Sequence, residues 1–249
     1  MTKYPVDLIT ILGPTASGKT PFAAHLAHHL GDAEIISADS RMVYRGMTIG
    51  SGKDLDDYVV DGHHIPYHLI DICEAGYRFN VYEFQCAFQN AFMDITARGQ
   101  LPIMCGGTGL YIESVLKSYE LGQVRFPERN SLTIGLSIER DLRREKISRR
   151  LKARLEEGMI EEVQTLLQTV SAEKLIRYGL EYKFVTLYCL GQLSYDEMYR
   201  QLEIAIHQFA KRQMTWFRGM EKRGVTIHWV DASLPLPEIV EQIKGMIYE

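Results

Sequence analysis

Gly13, Gly18, Lys19 and Thr20 stand at the spacing GxxxxGK[ST] inside the run GPTASGKT. That spacing holds phosphate. Glycines let backbone N–H groups curl around oxygens, and a helix N-terminus behind the loop adds partial positive charge. Thr15, Ala16 and Ser17 complete the turn, Lys19 adds a point charge, and the Thr20 hydroxyl is suited to Mg²⁺. A second candidate is Asp39, in ISADSRMVYRG. Three readings stand open for it: a Mg²⁺ ligand, a general base, or a helix cap. A third is GGTGLY at 106–111, where glycines permit close backbone approach and Thr108 offers a hydroxyl. A plain strand-to-helix turn capped by Thr108 explains that stretch equally well.

Elements at the right places must carry these loops. Val6–Leu12 is a short run of β-branched residues and leucines, so a buried strand is expected there. Lys19–Leu30 reads as a helix and Ala33–Ile36 as a second strand. A short strand is expected near Leu69–Ile72. In Val81–Arg98, Phe84, Phe88, Phe92 and Ile95 recur at helical spacing. Leu101–Cys105 is the next strand, followed by a helix to about Leu116. Alternation of this kind predicts a parallel α/β sheet of the P-loop NTPase-like type, flanked by helices, with its ligand at the carboxyl ends of the strands. Ser131–Ser137 adds a strand. Glu139–Glu157, Ile160–Thr169, Ala172–Leu190 and Tyr195–Arg218 then read as helices, before a strand at Val225–Val230 and a helix at Pro237–Ile247. The chain therefore divides into 1–116 as the first part of the core, 117–130 as a connector, and 131–249 as a helical second half that completes the sheet.

Composition narrows the partners. No run of about 18 apolar residues exists, so no membrane span is expected. The N-terminus lacks the pattern of a signal peptide. Four scattered cysteines with no CxxC pair fit free thiols in a cytoplasmic protein. His63, His64 and His68 are weakly spaced for a metal, with no acid or thiol placed to complete a site. Net charge is −4, yet residues 139–223 hold 17 Lys/Arg against 13 Asp/Glu. A basic half suits a polyanion; long helices laced with surface ion pairs have the same composition.

Four stretches together define a pattern: GPTASGKT, ADSRMVYRGMTIG, GGTGLYIE and, near the end, FAKRQMTWFRG. HLID at 68–71, RRLKARLEEGMIEEVQTLL at 149–167 and YGLEYK at 178–183 accompany them. This set resembles the tRNA dimethylallyltransferases, also called tRNA isopentenyltransferases, over nearly the whole chain. The resemblance implies transfer of a five-carbon group from dimethylallyl diphosphate to N6 of an adenine beside the tRNA anticodon. It implies Asp39 as the base, Thr108 near the reacting atoms and Arg218 as a diphosphate arginine. Lys211 and Arg212 would add charge beside it. Gly13 to Thr20 would hold the leaving diphosphate, with Mg²⁺ on Thr20, and Asp39, Ser40, Arg41, Met42 and Thr108 would meet the RNA. A monomer is expected.

Two departures stand against that pattern. Met42 occupies a position where the family usually has Gln, so adenine recognition loses an amide. Typical bacterial members also insert a helical arm that grips the anticodon stem, whereas Leu116 to Ser131 leaves only about fifteen residues, too few for a folded unit of about 40. Three other readings follow: an adenylate dimethylallyltransferase, a P-loop small-molecule kinase, and a non-catalytic RNA-binding paralogue.

Overall fold

The computed structural model describes residues 3–121 and 129–248. Its centre is a six-stranded sheet: β1 (Leu8–Leu12), β2 (Ala33–Ser37), β5 (Tyr67–His68), β6 (Leu101–Gly106), β7 (Ser131–Ser137) and β8 (His228–Asp231). They lie in the order β5-β2-β6-β1-β7-β8, and every pairing in that sheet is parallel. A small antiparallel pair, β3 (Val59–Val60) and β4 (His63–His64), stands apart.

Central strands of a parallel sheet are covered on both faces, so they read as continuous apolar runs. LITIL in β1 is buried throughout. Ile9 and Ile11 pack on the side of α1 (Lys19–Leu30) and α9 (Leu236–Tyr248), among Phe22, Leu26 and Ile243. Leu8 and Leu12 face α2 (Val81–Ala97), α3 (Gly109–Leu116) and α8 (Tyr195–Lys222), among Phe84, Ile112 and Phe217. The remaining helices, α4 (Arg140–Glu156), α5 (Met159–Leu166), α6 (Ala172–Arg177) and α7 (Leu180–Cys189), build a further core with α8 around Leu151, Val163, Tyr182 and Leu202. Capping sets several helix starts. Asn80 and Glu83 form a reciprocal box at α2, as do Ser194 and Glu197 at α8.

The small β3–β4 pair was not expected from the sequence, and three other elements depart from the reading. The strand expected near Leu69–Ile72 lies earlier, at Tyr67–His68, because Leu69 and Asp71 take positive φ of 63° and 55° and leave the extended region. The single helix expected over Ala172–Leu190 is two, broken at Gly179, whose φ is 143°. The last strand begins at His228 rather than Val225.

Candidate active site

β2, β6 and β1 are neighbours, so the loops that follow them open side by side at one edge of the sheet. Backbone contact holds them close. A Cβ added to Gly106 would meet the Ala38 carbonyl oxygen at 2.3 Å, so only glycine fits there. The Thr108 N–H donates to that same carbonyl at 3.2 Å. The Ser40 N–H donates to Thr108 Oγ1 at 3.0 Å. Thr108 stands at the N-cap of α3, but its side chain makes no cap bond. Its hydroxyl joins the second loop to the third instead.

The phosphate loop turns into α1 at Gly18, which is left-handed with φ 78°. Ala16 is also left-handed, with φ 62°. Lys19 is half-buried, and its Nζ donates to the Pro14 carbonyl at 2.8 Å. Burial pushes the Lys19 ammonium down to about 8. The Thr20 hydroxyl makes no hydrogen bond among the described residues. One pocket is walled by Thr15, Lys19, Thr20, Asp39, Met42 and Gln213.

Asp39 faces this pocket with one oxygen engaged. Its Oδ1 accepts from the Arg41 N–H at 2.9 Å and lies 3.5 Å from Arg41 Nε. Its Oδ2 has no partner among the described residues. Arg41 is itself held by Glu181, at 2.9 Å. Burial opposes the Arg41 charge, but Glu181 and Asp39 outweigh it and raise the guanidinium above its ordinary range. Met42 is buried, its sulfur 3.6 Å from Ser37 Oγ. Across the mouth, Arg150 and Arg154 of α4 both bind Asp54, at 2.9 and 3.0 Å.

The basic residues of α8 lie elsewhere. Ile206, Ala210, Gln213, Phe217 and Met220 are buried, at alternating steps of four and three, so they form the inward stripe of the helix. Lys211, Arg212 and Arg218 fall between those positions and are exposed. Lys211 lines a cleft with Arg140, Arg143, Arg144 and His207. Arg212 and Arg218 line a groove with Leu110 and Trp216. None of the three lines the phosphate pocket, and Lys211 and Arg218 do not share one cleft.

The cations of the α4–α8 cleft differ from those of the pocket. Arg140, Arg143, Arg144 and Lys211 make no side-chain hydrogen bond or ion pair among the described residues. Burial and Arg140 lower the Arg143 guanidinium, and burial and Arg144 lower His207. The alternative of surface pairing holds for the other end of α4, where Lys152 lies 3.9 Å from Glu156. His68 binds Glu34 at 2.7 Å rather than joining His63 and His64, and no His/Cys/Asp/Glu metal cluster occurs among the described residues.

Sequence reasoning missed Gln213, Glu181 and the Asp54 pair. Gln213 was the most accessible of these, as a polar residue on the apolar stripe of α8. Glu181 and Asp54 meet their partners across more than ninety residues, and no local pattern announces that.

A half-buried glycine loop of phosphate-loop spacing and a half-free carboxylate share one pocket at the end of a parallel sheet, the arrangement of a P-loop-like transferase. The family model for IPP transferase matches residues 42–131 and 121–220, and the chain belongs to that family. It is 52% identical to tRNA dimethylallyltransferase 2 of Phocaeicola vulgatus, covering all of this chain and 99% of the relative. It is 42% identical to tRNA dimethylallyltransferase 1 of Geotalea daltonii, with 93% of each covered. Its fold matches the crystal structure of a tRNA isopentenylpyrophosphate transferase from Bacillus halodurans, with TM-score 0.83, 28% identity and coverage of 97% and 95%. A eukaryotic dimethylallyltransferase acting on tRNA shares the fold at TM-score 0.78 and 18% identity, over 90% of this chain and 73% of that one. The Phocaeicola match spans 307 aligned positions against 249 residues here, so 58 positions of that alignment have no counterpart in this chain. The two pieces of the family match meet at 121–131. The GQVRFP stretch of the connector lies outside the described residues.

Proposed function

We propose that this protein transfers a dimethylallyl group from dimethylallyl diphosphate to N6 of the adenosine next to the anticodon in tRNA. The observation that carries the reading is the half-engaged Asp39 in one pocket with Lys19 and Thr20, in a chain of this family. An adenine amine is a weak nucleophile, because its lone pair is delocalised into the ring. Asp39 Oδ2 takes a proton from N6 as the N6–carbon bond forms. The carbon–oxygen bond to diphosphate breaks, and its electron pair leaves with the diphosphate. Lys19 and the loop N–H groups stabilise that growing charge. Oδ1, tied to Arg41, fixes the carboxylate so that Oδ2 faces the pocket.

Mg²⁺ fits the pocket. The free Thr20 hydroxyl and Asp39 offer hard oxygens, and this ion commonly keeps waters and takes phosphate oxygens as its other ligands. When bound, it supplies further positive charge for the leaving group.

The unpartnered cations of the α4–α8 cleft are the surface for RNA phosphates, with Arg212 and Arg218 on the same helix. The target base must leave its stack to reach the pocket, and loop bases do so most cheaply. We assign the missing 58 positions to the helical arm between 116 and 131. RNA grip then falls on the core.

Labelled dimethylallyl diphosphate with Mg²⁺, offered tRNA, AMP or no acceptor, tests the reading. Label is expected in tRNA. Label in AMP alone would replace tRNA by a free nucleotide. ATP turnover with no transfer would make the protein a kinase, and neither transfer nor turnover would leave a non-catalytic RNA binder.

A further inference from the structure

Gln213 is buried on α8 and touches two of the three loops at once. Its Oε1 accepts the Thr15 N–H at 2.8 Å. Its Nε2 donates to the Gly107 carbonyl at 2.9 Å. The amide orientation follows from chemistry, since an N–H must meet the oxygen and a carbonyl must meet the nitrogen. The fit is close. A Cβ on Gly107 would stand 2.6 Å from Nε2. The Thr15 N–H, expected from the sequence to serve the diphosphate, is spent on this contact.

The two loops present opposite polarity to α8: one a donor, the other an acceptor. Of buried side chains, a carboxamide answers both in one rigid plane. Asn is one methylene shorter, and Glu offers two acceptors when ionised. Gln213 also lines the phosphate pocket. It thereby sets the spacing between the loop that holds diphosphate and the loop that carries Thr108. Thr108 in turn binds Ser40, one residue beyond Asp39. A chain of three contacts thus runs from the leaving-group site to the base.

We infer that Gln213 is a positioning residue that clamps the phosphate loop to the Thr108 loop and so fixes the distance between leaving group and base. The inference rests on the proposed phosphate pocket. Misplacing reacting groups by about 1 Å costs on the order of 10²-fold in rate, so the clamp governs turnover more than fold.

Two variants test it. Gln213→Met keeps the volume and removes both hydrogen bonds. Its dissociation constant for inorganic pyrophosphate should rise about tenfold, and kcat should fall by a similar factor. Its tRNA affinity should stay within about twofold, because the cation surface is untouched. Gln213→Glu mimics the amide only when protonated. Its rate relative to wild type should therefore climb as pH falls, a signature that a merely structural role does not produce. That ratio also decides the matter if Gln213→Met does not fold. Wild-type protein that binds no pyrophosphate overturns the phosphate pocket and this inference with it. Wild type that binds, beside a Gln213→Met protein that binds and turns over equally, overturns the clamp alone. So does a Gln213→Glu ratio that is flat with pH.

Discussion

The phosphate pocket and the α4–α8 cleft are both cationic, and they treat charge in opposite ways. In the pocket and at its mouth each cation has a partner. Lys19 binds Pro14, Arg41 binds Asp39 and Glu181, and Arg150 and Arg154 share Asp54. In the cleft, Arg140, Arg143, Arg144 and Lys211 have none among the described residues. Fixed partners pre-orient a site for chemistry, at the cost of free charge. Unpartnered cations crowd one another and gain most when a polyanion arrives. One region is built for geometry, the other for attraction, and substitutions in the two should fail differently.

Removing Lys19 should have the largest effect on binding. Lys19→Ala should weaken pyrophosphate by about 10²-fold, as expected for a half-buried charge lost opposite an anion, while tRNA binding is kept. Calorimetry with pyrophosphate reads this directly, and unchanged affinity would remove the loop from the account. The same lysine sets a pH dependence. Its ammonium is held at about 8 in the free protein. It is charged below that pH and loses its proton above it. The wild-type advantage over Lys19→Ala should then be full below pH 8 and shrink by at most about tenfold per unit above it. An advantage that grows with pH would contradict the assignment.

Changes in the cleft should act on RNA alone. Gln at both Arg143 and Arg144 should raise KM for tRNA roughly tenfold and flatten its salt dependence by about 1.5 to 2 in log–log slope. KM for dimethylallyl diphosphate should not move. If it rises instead, the cleft serves the diphosphate and the division between the regions fails. The smallest effect is expected at Met42, a buried core residue whose sulfur accepts from Ser37 Oγ. Met42→Gln restores an amide at the pocket wall and should lower KM for tRNA about threefold. A higher KM would mean that the thioether is matched to its surroundings.

Much of the phosphate pocket was legible because its parts are local. A loop, a carboxylate after a strand and a glycine pair each lie within a few residues of an element that hydrophobic spacing identifies. The sheet was legible for the same reason, since β1 and β6 are largely apolar runs. Positive φ at Leu69 and Asp71 was not, because no glycine marked the turn. The break at Gly179 was passed over because helical spacing continues across it. Lys211 and Arg218 stand seven residues apart, two helical turns, yet they line separate clefts beside the buried stripe of Ala210, Gln213 and Phe217. Contacts between distant residues, such as Arg41 with Glu181, required the fold.

Asp39→Asn gives the sharpest measurement. Asn keeps an oxygen for the Arg41 N–H but cannot take the N6 proton. Single-turnover transfer to tRNA should fall by about 10²–10⁴-fold, with pyrophosphate affinity within about twofold of wild type on the same protein. Transfer near the wild-type rate would show that Asp39 is not the base, and collapse of pyrophosphate binding would show that it belongs to the phosphate site instead.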